Sequence, residues 1–139
     1  MEIIANALQT VPANQNVYFT DTVTCGNQCI THRDDSGLVN LRGLTNQCRA
    51  RFKVSFGGNI AISTGGTVAP ISLAIAIDGE AARETIRTVT PAAVGDFFNV
   101  YTSTFIDVPK GCCVTVSVRN INTQSIDVEN ANLMVERVA

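Results

Sequence analysis

The sequence has no tryptophan, one histidine, two lysines and few charges of either sign. Each shortage closes a class of function. One histidine rules out His-pair metal centres and leaves a single candidate base for a nucleophilic triad. Ten basic against twelve acidic residues give a net charge of −2, so a basic face gripping phosphates is excluded and no nucleic-acid partner is expected. Charged residues are 16% of the chain and apolar residues 45%, which excludes a disordered tail. The longest apolar stretch, near Ile71–Ile77, is interrupted by Ser72 and falls far short of about 18 residues, so no membrane-spanning helix is expected. The opening MEIIANALQT has no basic region followed by an apolar one, so no secretory signal is expected. Without tryptophan there is no Cys…Trp…Cys spacing of an immunoglobulin domain. Heptads, low-complexity runs and linkers are also missing. One domain spanning 1–139 is the expectation.

What the chain has instead is β-branched residues: 16 Val, 12 Ile and 15 Thr, with only 6 Leu. Such side chains are stiff at χ1 and suit pleated strands. Arg49–Phe56 alternates strictly, with Ala50, Phe52, Val54 and Phe56 on one face, and Gly57-Gly58 is read as its end. A short strand is expected to resume over 59–63. In Ile71–Ile77, bulky Ile71, Leu73, Ile75 and Ile77 oppose small Ser72, Ala74 and Ala76, which predicts burial on both faces. Asp78-Gly79 is a hairpin signal, with Glu80–Val89 as the return strand. Asp96–Val108 is apolar on both faces, with Phe97, Tyr101 and Phe105 opposite Phe98, Val100, Ile106 and Val108. Cys112–Arg119 follows a Pro109-Lys-Gly turn, with Cys112, Val114, Val116 and Val118 inward. Asn120–Ser125 reads as a polar turn, and Ile126–Glu129 and Asn132–Val138 as closing strands. In the first third, Ile3–Val11, Val17–Thr24, Ile30–Arg33 and Leu38–Arg42 read as strands. About ten strands and almost no helix predict an all-β, two-sheet antiparallel jelly-roll sandwich.

Candidate chemistry is sparse. Cys25, Cys29, Cys48, Cys112 and Cys113 are odd in number, which argues against a disulfide framework. Cys25-x3-Cys29 nears metal-ligand spacing, but adjacent Cys112 and Cys113 diverge in a strand and complete a four-ligand set poorly. Unremarkable thiols, a metal site, or a disulfide formed in an oxidising medium remain open. His32 lies near Cys29, Asp34 and Asp35, yet closeness in sequence is not geometry, and a solvated or interface histidine is expected. Asp34-Asp35-Ser36-Gly37 reads as a turn rather than a calcium site, and Ser36 lacks a nucleophile-elbow context. The pairs Gly57-Gly58 and Gly65-Gly66 lack the flanking residues of a phosphate loop. Arg49, Arg51, Arg83 and Arg87 read as interface ion pairs. No catalytic, cofactor-binding or metal residue emerges, and no cofactor is implied. The positive signal is excess apolar surface: strands 71–77 and 96–108 are apolar on two faces, and a sandwich hides one face of each. The second faces call for other copies of the chain.

The strand Arg-Ala-Arg-Phe-Lys-Val-Ser-Phe (49–56), the pieces Ala-Ile-Asp-Gly-Glu (76–80) and Phe-Ile-Asp-Val-Pro-Lys-Gly (105–111), and the ending Ala-Asn-Leu-Met-Val-Glu-Arg-Val (131–138) resemble small virion proteins of tailed phages and prophages of Gram-positive bacteria. They also look like the C1q/TNF-type jelly roll. The resemblance implies a homotrimer with the last strand in the trimer-facing sheet. It further implies a non-enzymatic place on a virion assembled in the host cytoplasm, as capsid decoration, head fibre or spike tip, beside other virion proteins of capsid or tail. The alternatives are a receptor- or glycan-binding module on the same fold, contacting a host surface glycan, and a cupin-type enzyme. The single histidine nearly disqualifies the enzyme.

Overall fold

The computed structural model describes residues 1–26 and 28–139. Twelve strands form two six-stranded antiparallel sheets. They are β1 Glu2–Ala5, β2 Gln9–Val11, β3 Asp21–Thr24, β4 Ile30–His32, β5 Val39–Arg42, β6 Arg49–Ile62, β7 Ile71–Ile77, β8 Glu80–Ala81, β9 Arg87–Val89, β10 Phe98–Pro109, β11 Cys113–Asn120 and β12 Ile126–Arg137. One sheet, the front sheet, runs β10-β6-β12-β1-β3, with β2 also on β12. The back sheet runs β4-β5-β11-β7-β8, with β9 also on β7. The hairpins β4–β5 and β7–β8 stay within the back sheet, while the connections β5–β6, β6–β7, β9–β10, β10–β11 and β11–β12 cross between sheets, as in a jelly roll.

The alternation read from the sequence builds the core. Phe52, Val54, Phe56, Leu133 and Val135 from the front sheet meet Leu41, Ile71, Leu73, Ile75, Val116 and Val118 from the back, all essentially inaccessible to solvent. Each such large side chain contributes about 1.5–3 kcal/mol by leaving water. Phe19 joins the sheets, edge-on to both Phe56 and His32 with ring centroids 6.5 Å apart.

Several expectations are corrected. Gly57-Gly58 does not end a strand. Neither glycine has positive φ, and β6 runs through both to Ile62, paired with Tyr101 and Val100. Gly58 is needed for room, because a Cβ there would crowd the Phe56 ring and the Ala131 backbone. The two closing strands are one, β12, with a bulge between Glu129 and Asn132 where Asn130 takes φ 52°. The return strand after Asp78-Gly79 is broken into β8, a 3-10 turn Arg83–Thr85 and β9. Thr85 Oγ1 accepts the Ile75 amide at 2.9 Å, filling the gap in the ladder. The hairpin turn holds, with φ 52° and 86° at Asp78 and Gly79. Ile3–Val11 and Val17–Thr24 shrink to β1, β2 and β3. The intervening segment pairs instead with the back sheet, through Val17 N to Val118 O at 2.8 Å and Asn120 N to Gln15 O at 2.9 Å. Cys112 is exposed rather than inward, because β11 begins at Cys113 and Cys112 lies in the turn. Phe98, on the inward parity, is at the strand end and exposed.

The second face of β7 needs no other copy. Ala74 and Ala76 are fully buried within the chain. Arg119 pairs with Ala74, and its Nη1 donates to the Gly79 carbonyl, so its stem runs along this small-residue face. The polar turn 120–125 hides a buried hub. Asn120 Nδ2 donates to the carbonyls of Val11, Pro12 and Gln124, and its Oδ1 accepts from Asn122 N and Nδ2.

Candidate functional site

The outer face of the front sheet is the surface that the fold leaves unexplained. Strand register sets its rows. Phe105, Lys53 and Glu136 lie side by side across β10, β6 and β12. Ser103, Ser55 and Met134 form the next row, continued by Glu2 on β1 and Thr24 on β3. Tyr101, Gly57 and Asn132 form the third. Small residues at Ser55 and Gly57 leave a trough between taller neighbours. Its walls include Tyr101, Met1, Glu2, Thr24, Met134 and Glu136, around a volume of about 480 Å³. Tyr101 leans over Gly57, where a Cβ would sit 3.8 Å from the ring. Tyr101, Phe105 and Met134 expose 58%, 61% and 53% of their surface, although they lie on regular paired strands. Three such side chains in neighbouring rows of one sheet face make it the candidate interaction surface.

The polar groups here have identifiable partners. Arg51 Nε and Nη2 donate to both oxygens of Asp107 at 2.8 and 3.2 Å, while Arg49 stands 3.6 Å away. Those hydrogen bonds hold the Asp107 carboxyl below its ordinary pKa range, with Arg49 adding attraction, and they raise that of Arg51. Hydrogen bonding with Ser55, then Ser103, with the charge of Lys53, lowers the Tyr101 phenol below its usual value. Asn132 Nδ2 donates to Glu2 at 2.7 Å. Among the described residues, no ion pair joins Lys53 to Glu136 despite their shared row.

The other candidates fall elsewhere. His32 is half-buried rather than solvated, its Nε2 2.8 Å from the Ser36 carbonyl and its Nδ1 buried without a partner. An Nε2–H donating to that carbonyl makes the histidine a brace for the 33–36 turn. Asp34-Asp35-Ser36-Gly37 is that turn, with φ 65° at Asp35 and Thr22 Oγ1 donating to Asp34 at 3.3 Å. Backbone bonds link the cysteine-bearing segments at one end of the sandwich: Cys48 O takes Lys110 N, Cys112 O takes Gly43 N, and Cys29 O takes Arg42 N. Cys25, Cys48, Cys112 and Cys113 are exposed there, whereas Cys29 is buried with Arg137 Nη1 3.4 Å from its sulfur. Among the described residues, no three His, Cys, Asp or Glu side chains meet in metal-holding geometry. Gly65-Gly66 forms a tight turn, Gly66 N to Ser63 O at 2.9 Å, in a shallow recess where the Gln124 amide accepts from the Thr67 N–H and donates to its carbonyl. Among the described residues Arg87 has no ion-pair partner. It caps the open edge of β10 by donating to the Tyr101 carbonyl, and also reaches the Ile86 and Glu84 carbonyls.

No family model and no curated protein matches the sequence. Among solved structures, the chain is similar to the globular domain of zebrafish complement 1qA protein, with a TM-score of 0.55 at 10% identity over 96% of this chain and 93% of that one. It is also similar to rabbit GITRL, at 0.46 and 14% identity over 80% and 78%. A family 35 carbohydrate binding module from Clostridium thermocellum scores 0.35 at 12% identity over 96% and 91%. The fold is therefore a jelly roll like that of the C1q globular domain.

Proposed function

We propose that this jelly roll is a non-enzymatic structural module that assembles as a homotrimer through the outer face of its front sheet. The observation that carries the reading is the exposed set of Tyr101 and Met134, in the walls of the trough, and Phe105, on the sheet that holds the last strand β12. Burying these side chains between copies removes apolar area that the folded chain leaves in water. The place of the trimer is a phage particle, as capsid decoration, head fibre or spike tip, assembled in the host cytoplasm. That placement, and any contact with other virion proteins or a host glycan, is supported by the sequence resemblance. Light scattering on the purified chain should give three times 14.8 kDa, and the same chain should be found by mass spectrometry in purified particles. A clean monomer across micromolar concentrations overturns the assembly, and absence from particles overturns the placement.

A further inference from the structure

We infer that Cys48 and Cys112 are a redox pair: two thiols in a reducing medium, and in an oxidising one a disulfide that staples one end of the sandwich. The inference does not depend on the assembly proposed above. Both cysteines are exposed and tied to the same four-residue turn, Pro109–Cys112. The β10–β6 register pairs Pro109 with Arg49 and continues one step further, because Lys110 N donates to Cys48 O at 2.9 Å. Cys112 closes the turn, its N–H donating to Pro109 O at 3.0 Å. A disulfide needs Cα atoms about 4.4–6.8 Å apart, and a hydrogen-bonded turn brings its own ends within about 7 Å. Residues 43–48 belong to no strand, so Cys48 ends a loop that can adjust over the turn.

The other cysteines are placed less well. Cys25 follows β3, and β1 and β12 stand between β3 and β6, about 14 Å of sheet at the usual strand spacing. Cys113 pairs with Arg42 on the outer face of the back sheet, since the next pair, Val114 and Leu41, packs into the core. Cys29 is buried beside Arg137. The oxidant is a small-molecule disulfide of the glutathione class. One protein thiolate attacks it and expels a small thiolate. The second protein thiolate then attacks the protein sulfur of the mixed disulfide and expels the other. Two electrons pass to the small disulfide, and the two thiol protons end on the two small thiols. The new bond joins the β5–β6 and β10–β11 connections, both of which cross between the sheets.

The test uses the purified chain in a redox buffer of reduced and oxidised glutathione, quenched with maleimide. Native labelling should fall from the four exposed cysteines to two. Digestion should yield a Cys48–Cys112 linked peptide, lighter by two hydrogens than its parts, and a non-reducing gel should show single chains. The urea midpoint should rise by about 1 M. Cys48→Ser and Cys112→Ser, both at exposed positions, should each abolish the link and the rise without changing strand content by circular dichroism, whereas Cys113→Ser should keep both. Free thiols or separate glutathione adducts at 48 and 112, or bonds between chains, overturn the pair. A link from Cys48 to Cys113 overturns the choice of partner. A monomeric parent overturns the assembly and leaves this result standing.

Discussion

Asn120 offers the sharpest test of how the loops are held. Its side chain is inaccessible to solvent, and its two N–H groups serve three carbonyls: Val11 at 3.0 Å, Pro12 at 3.2 Å and Gln124 at 3.0 Å. Its carbonyl oxygen takes Asn122 N at 2.9 Å and Asn122 Nδ2 at 2.7 Å. Asn122 in turn brackets Ser72, accepting its amide and donating to its carbonyl, so one residue ties β2, β7 and the 120–125 turn together. Asn120→Ala strips partners from about five polar groups. At roughly 1 kcal/mol for each bond lost, some of it recovered by entering water, the loss is about 3–5 kcal/mol. A domain of this length is stable by roughly 7–20 kcal/mol, so the change is large but not fatal. In urea the midpoint should fall by about 2 M, measured at matched chain concentrations because association of copies, where it occurs, raises apparent stability. Asn120→Asp is the discriminating variant. It keeps an oxygen for Asn122 but turns a second oxygen toward three carbonyls, so at neutral pH it should be at least as damaging as alanine. Midpoints for both variants within about 0.5 M of the parent would refute the claim that this network is structural.

Two further outcomes follow from local geometry. A Cβ at Gly43 would overlap the Pro109 carbonyl oxygen, whereas one at Gly79 meets nothing and is disfavoured only by φ 86°. Gly43→Ala should therefore cost about 1–3 kcal/mol or more and Gly79→Ala about 1 kcal/mol, and equal denaturation midpoints would contradict the model of the 43–109 junction. Under native reducing conditions a maleimide should label Cys25, Cys48, Cys112 and Cys113 quickly and Cys29, at 8% exposure, only on unfolding. Rapid labelling of Cys29 would mean that this end of the sandwich opens.

Much of the fold was legible because strand parity is local. Alternation in 49–56 and the bulky row of 71–77 named core residues without any knowledge of partners, and Asp78-Gly79 announced its turn through the need for positive φ. The aromatic outer row of 96–108 was legible for the same reason. What failed were inferences in which a local signal has two physical meanings. Gly57-Gly58 can break a strand or make room on one, and only the Phe56 ring and the Ala131 backbone packed against Gly58 decide for room. Small residues on the second face of β7 can await a partner or be covered at home, and Arg119 with the chain's own packing decides for cover.

The sequence by itself determined the class of this protein: β-branched, weakly charged, nearly without histidine, and with more apolar faces than an isolated strand pair can hide. These are properties of residues and their period. Tertiary structure decided which of those faces stays open. A trough exists because register places Ser55 and Gly57 between Tyr101 and Met134, and Asn120 is a hub because the fold brings Val11, Pro12 and Gln124 around it. Both depend on pairings across more than a hundred residues of chain, such as β1 with β12 and Asn120 with Val11, which no local pattern specifies.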